Sequence, residues 1–131
     1  MSREIKFRAW DKRNNKWFHQ DLIIMTNTGF YEDYRAFEDG ISLFDYEYEI
    51  MQFTGFKDKN GKEIYEGDIL TDYGGEPPVY VEYSEEHGAY CFVDKFDPSG
   101  TVYYTPKDIS YEQMVVIGNV YENLDLLDGV N

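Results

Sequence analysis

Two histidines, one cysteine and 26 acidic side chains are what this chain of 131 residues offers to chemistry. His19 and His87 are too few for most zinc sites, and neither belongs to a ligand-spaced motif. Glu85-Glu86-His87 gathers three ligating types, but consecutive residues in a turn point in different directions, so the segment reads as a solvated turn. Asp58-Lys59-Asn60-Gly61-Lys62 has the outline of a calcium loop. Lys59 and Lys62 interrupt its carboxylates, and no flanking helix is legible. Cys91 lies inside the apolar run Tyr90 to Val93, where a thiol behaves as a small hydrophobe; reactive thiols need a helix start or a cationic neighbour. Nothing matches a phosphate-cradling glycine loop. Among so many acids, no pair is singled out for glycosidase-type catalysis. The expectation is a non-enzymatic protein with no catalytic residue, no cofactor and no metal.

Two other constellations suit binding rather than catalysis. Trp10 and Trp17 stand among Arg8, Lys12, Arg13 and Lys16, an aromatic and basic mixture of the kind that stacks on nucleic-acid bases. The plainer reading is a cross-strand aromatic pair with its charges in solvent. Asp45, Glu47 and Glu49 alternate with Phe44, Tyr46, Tyr48 and Ile50, which on a strand places the carboxylates on one face. Their spacing of about 7 Å is close to that of phosphates along a nucleic-acid strand, so the row could mimic DNA. Against this stands an exposed strand face kept from aggregating by its charge.

The charge itself is unevenly placed. Residues 1–17 hold six basic side chains against Glu4 and Asp11, a balance of +4, so the rest carries −18 of the total −14. An acidic body of this size repels nucleic acid and anionic membrane and steers basic partners toward it. Opposite signs on one chain also suit association of copies into a homo-oligomer. A single cysteine, no charged-then-apolar leader and no apolar run near about eighteen residues point to a soluble protein of a reducing cytoplasm.

The elements that would position these groups are strands. Aromatics make up 18% of the chain, with thirteen tyrosines, a composition that favours pleated, half-buried surfaces. Ile5, Phe7 and Ala9 alternate with Lys6 and Arg8, and Asn14-Asn15 suits the left-handed positions of a hairpin turn before Trp17-Phe18. Asp21 to Met25 is a short strand, and residues 30–40 read as a loop or a single helical turn. After Ile50 the apolar parity switches to Met51 and Phe53, the mark of a bulge or of a strand changing sheets. Asn60-Gly61 fixes a second hairpin, which matches residues 7–18 at an offset of 46. One turn recipe used twice explains that match as well as a duplication does.

Beyond Gly67 the grammar is of short strands and turns: Asp68 to Leu70, Val79 to Tyr83, Tyr90 to Val93, Val102 to Thr105, then Met114 to Tyr121. The last is the most apolar run and reads as the central strand. Five such strands predict a small, strongly bent SH3-like barrel. Asn123 suits the cap of a closing turn through Leu127. The fold class is therefore mainly β, with an N-terminal hairpin or meander lobe over residues 1–53 and a C-terminal barrel lobe over 54–131.

Three stretches, EIKFRAWDKRNNKW, QFTGFKDKNGKEIYEGDIL and VIGNVYENLDLL, occur in an order and at a spacing that resemble the YopX-like proteins of phages and prophages. The resemblance implies a β-rich fold with a barrel-like C-terminal part, a phage origin and oligomerisation, and it supplies no catalytic residue. Leu124 stands where the family pattern has proline after the asparagine. The resulting expectation is an accessory protein that binds a host or phage protein, with nucleic-acid binding or DNA mimicry as alternatives. The residues that would carry it are Asp45, Glu47, Glu49, Trp10, Arg13, Lys16 and Trp17.

Overall fold

The computed structural model describes residues 5–18, 24–26, 29–31 and 48–127. These form eleven strands and two short 3-10 turns, with no α-helix among the described residues. The chain divides into two compact units, one of residues Lys6–Gln52 and one that holds Phe53–Asn131.

In the first unit β1 (Phe7–Asp11) and β2 (Lys16–Phe18) form the expected hairpin, with Trp10 directly opposite Trp17. Asp11 builds the turn. Its carboxylate accepts the Arg13 and Asn14 amides and the Asn14 side-chain amide, the last at 2.8 Å. Asn15 then takes the left-handed conformation, φ 53°, that a non-glycine residue adopts readily only when it is Asn or Asp. β3 (Ile24–Thr26) and β4 (Gly29–Tyr31) make a second hairpin. This corrects the loop or helix expected to begin at Phe30. Phe30 pairs with Met25, and its ring meets Phe7 edge-on at 4.7 Å. His19, residues 32–40 and the strand expected from Phe44 to Glu47 lie outside the described residues.

The parity switch has its cause in β5 (Tyr48–Lys57). Its first half pairs with β1, from Asp11↔Tyr48 to Phe7↔Gln52, and its second half pairs with β6 (Glu63–Tyr65). The β5–β6 register shifts between Phe53 and Lys57, where Gly55 sits at φ 93°. Thr54, buried beside this irregularity, donates its hydroxyl to the Ile64 carbonyl and accepts the Phe56 amide, which keeps the displaced backbone satisfied.

The hairpin between β5 and β6 turns around Asp58, which is only 7% exposed. One carboxylate oxygen accepts the Asn60 and Lys62 amides at 2.8 and 2.9 Å; the other accepts the Val116 amide at 2.9 Å. Gly61 lies three positions after Asp58, whereas Asn15 lies four after Asp11. The two loops thus share a chemistry but not a register, which favours a repeated turn recipe over a duplication.

The second unit holds a five-stranded antiparallel sheet of β7 (Asp68–Thr71), β8 (Val79–Ser84), β9 (Ala89–Asp94), β10 (Val102–Tyr104) and β11 (Val115–Asn119). Its order is β10-β9-β8-β7-β11, a meander whose last strand returns beside the first, and it curls into a half-barrel. β11 is therefore an edge strand, not the expected centre. Its apolar composition reflects partial burial of Val115, Val116 and Ile117, while β8 and its neighbours supply the core. The outer edge of β11 is covered at Val116 by the Asp58 carboxylate, and the Lys59 amide donates to the Met114 carbonyl just before the strand.

The core of this unit joins Ile64, Leu70, Val79, Val81, Phe92 and Met114, with Phe56, Tyr90, Tyr104, Ile109 and Tyr111 packed against it. Phe53, Ile64 and Tyr65 are buried, and Cys91 is 0% exposed. Burial, with the nearby charge of Glu82, pushes the Cys91 thiol above its ordinary pKa. The closing turn over Leu124–Leu127 is present, and Leu127 is buried. Asn123, however, turns its side-chain oxygen back to the Asn119 amide, while its backbone carbonyl accepts from Leu126. Asn119 in turn caps the Tyr121 and Glu122 amides.

Candidate functional site

The half-barrel carries a groove of about 440 Å³. Its apolar floor and walls come from Pro77, Val79, Tyr104, Ile109 and Met114; its rim carries Asp72, Glu76, Asp94 and Asp108. The three rim aspartates are each fixed by a residue of their own turn. In the β7–β8 loop, Tyr73 and Gly75 take left-handed φ of 59° and 90°, and Pro77-Pro78 ends the bend. There Asp72 Oδ1 accepts the Gly74 amide at 2.7 Å. At the end of β9, Asp94 Oδ1 accepts the Phe96 amide at 2.8 Å. After β10, Asp108 Oδ2 accepts the Thr105 hydroxyl at 2.8 Å. The 3-10 turn over Tyr111–Gln113 then delivers Met114 to the floor and leaves Ser110 and Gln113 at the edge.

Three of the four groove-lining carboxylates thus spend one oxygen on holding their own loop. Among the described residues none of the four makes an ion pair. A groove of this size lies within the usual range for ligand pockets. Its combination of apolar floor and fixed negative rim suits an amphipathic cation, whose stem covers the floor while its head meets the rim. Among the described residues no three His, Cys, Asp or Glu side chains gather in a way that could hold a metal ion. The four acids surround a space and do not meet at a point.

The residues singled out in the sequence fall elsewhere. Trp10 is 5% exposed and meets Trp17 edge-to-face at 4.9 Å; the Arg8 guanidinium lies 4.5 Å from the centre of the Trp17 ring. The pair is a cross-strand aromatic contact with a cation stacked on it, so Trp10 offers no face to a base. Arg13 and Lys16 are exposed on the same hairpin. Glu49 forms an exposed ion pair with Lys12 at 3.0 Å. Asp45 and Glu47 lie outside the described residues, so of the acidic row only Glu49 is placed. His87 in its turn accepts or donates to the Ser84 hydroxyl at 2.8 Å and stacks on Tyr103.

The groove was not legible in the sequence, because its acids are scattered from Asp72 to Asp108 and share no local spacing. Asp72 and Glu76 flank the Gly-Gly and Pro-Pro punctuation of the β7–β8 loop, while Asp94 ends β9 and Asp108 lies in the connection after β10.

Fold and groove together define a strand-rich protein whose curled half-barrel presents an anionic, apolar-floored concavity. A family model, the YopX protein, matches residues 6–128, and the chain belongs to the YopX family. The crystal structure of protein EF1440 from Enterococcus faecalis is similar, with a TM-score of 0.58 and 26% identity over 97% of this chain and 100% of that one. No curated protein matches the chain. The structure reads the three sequence stretches as turn chemistry, beginning with the Asp11 turn of the first hairpin. Asp58 and Gly61 build one hairpin, Gly67 and Asp68 the next turn, and Asn119 and Asn123 the last.

Proposed function

We propose that this chain is a non-catalytic protein-binding module, an accessory protein of a phage or prophage acting in the bacterial cytoplasm, with the half-barrel groove as its binding surface. The groove carries this reading: a concavity of ligand-binding size, three of whose four carboxylates are held in place by their own turns, and whose carboxylates lack ion-pair partners among the described residues. Fixed charge around an apolar floor is what a partner with complementary charge needs. No helix among the described residues is long and apolar enough to cross a membrane.

Nucleic acid is the weaker alternative. The basic hairpin has one tryptophan buried and the other under an arginine, and the surrounding charge opposes approach of a polyanion. The test is capture from a bacterial lysate by the native chain and by Ser110→Trp, a substitution that fills the groove edge where the Ser110 side chain makes no capping bond. A partner held by the native chain and lost by the variant supports the reading. Identical partner sets, or retention of nucleic acid alone, would overturn it.

A further inference from the structure

We infer, on the reading of the groove as a protein-binding surface, that its occupant is an extended segment of a partner protein carrying arginine next to an apolar residue. Four features of the groove converge on that chemistry. The rim is anionic on three separate turns, so it can meet a cation from more than one side. Asp72, Asp94 and Asp108 are each tied by one oxygen, so their charges are in place before the ligand arrives. The floor of Val79, Ile109 and Met114 favours a cation with an apolar stem over a compact inorganic ion. The space, about 440 Å³, has the size of a drug-like ligand's site, which two or three neighbouring side chains would fill.

Among biological cations arginine fits best. Its planar guanidinium is weakly hydrated, presents several donors at once and can engage two carboxylates, and it loses less on leaving water than a lysine ammonium does. Asp94 is the half-buried member of the rim and Asp72, Glu76 and Asp108 are the exposed ones. The guanidinium is therefore expected to rest against Asp94, with the other three setting the approach.

The experiment is calorimetry of the full chain with a capped peptide, Gly-Val-Arg-Leu-Arg-Gly, at low salt. Its counterparts carry lysine or citrulline, the neutral isostere, in place of arginine. Binding of the arginine peptide, weaker binding of the lysine peptide and a loss of about tenfold or more with citrulline are expected. Neutralising one rim acid, as in Asp108→Asn or Glu76→Gln, should weaken binding about two- to fivefold, as expected for partly exposed charges. Asp72→Asn/Glu76→Gln/Asp94→Asn/Asp108→Asn should abolish it; asparagine keeps the oxygen that each turn uses, and a circular-dichroism melt verifies folding.

Equal binding of the citrulline peptide, or no binding of the arginine peptide, overturns the inference. So does equally tight binding of spermidine, which would make the site one for small cations. So does carboxylate-dependent dimerisation in light scattering, which would make the occupant a second copy. The broader reading fails separately: it stands if Ser110→Trp loses its captured partner while the peptide does not bind, and falls if that variant keeps every partner.

Discussion

Asp58→Ala is expected to be the most damaging single change outside the apolar core, because one carboxylate closes a hairpin and an edge strand together. It removes three charge-assisted hydrogen bonds, to the amides of Asn60, Lys62 and Val116. Bonds of this kind contribute about 1.5–3 kcal/mol each, and a buried amide left unpaired costs a similar amount. Asn60 and Lys62 are exposed and their amides can turn to water; Val116 is half-buried and its amide has less access. Discounting the two exposed amides leaves a destabilisation of about 3–4 kcal/mol, a large part of the 5–15 kcal/mol typical of a domain. For a chain of this length that lowers Tm by roughly 10–15 °C.

Asp58→Asn should be milder at the hairpin, where its oxygen still accepts, but it turns an amide donor toward the Val116 amide. Urea unfolding followed by circular dichroism measures both variants. A loss below about 1 kcal/mol for Asp58→Ala would refute the assignment of Asp58 as the joint between hairpin and edge. The pH dependence gives a second reading of the same group. Burial alone would raise the Asp58 pKa, but the Val116, Lys62 and Asn60 amides and the Lys62 charge outweigh it and hold the carboxyl below its ordinary value of 3.8. A depressed folded-state pKa means the unfolded state binds the proton first. The contribution is complete above the ordinary value and disappears as pH falls through the lower, folded one. Native stability should therefore drop in acid below about pH 4, and the Asp58→Ala curve should be flatter there.

Three further outcomes are expected. Cys91, fully buried with a raised pKa, should react with a thiol reagent only after urea unfolding; prompt labelling of the native chain would contradict its place in the sheet. Gly118→Ala should destabilise by about 1–3 kcal/mol, because a Cβ there meets the Asn123 side chain, and Gly118→Ala/Asn123→Ala should recover part of the loss in the same melts. Trp10→Ala should cost about 3–5 kcal/mol through the lost burial and the lost contact with Trp17, whereas Lys12→Ala, which breaks an exposed ion pair, should cost under about 1 kcal/mol.

Much of the fold could be read from the sequence where local chemistry decides it. Asn14-Asn15 and Asn60-Gly61 set two hairpins because left-handed backbone is open to few residue types. The alternation of Val79, Val81 and their neighbours marked strands because one face is buried. Position within the sheet was less legible. The run from Met114 to Tyr121 is apolar enough for a centre, yet strand order depends on the return of β11 beside β7, a long-range pairing that no local pattern encodes. The parity switch after Ile50 announced a change of partner for β5 but not its identity. Trp10 and Trp17 read correctly as a cross-strand pair, because their separation matches a hairpin of this length. The groove's acids sit on three turns brought together by the curl of the sheet, so they look like any others along the chain.

Site-specific photo-crosslinking in bacterial cells tests the groove as a protein-binding surface most directly. A benzophenone side chain at Gln113, on the groove edge, is expected to give a discrete protein adduct. The same group at Arg13, on the basic hairpin, is expected to give none. Adducts formed only from position 13, adducts to nucleic acid, or none from position 113 in cells where the chain is active, would contradict it.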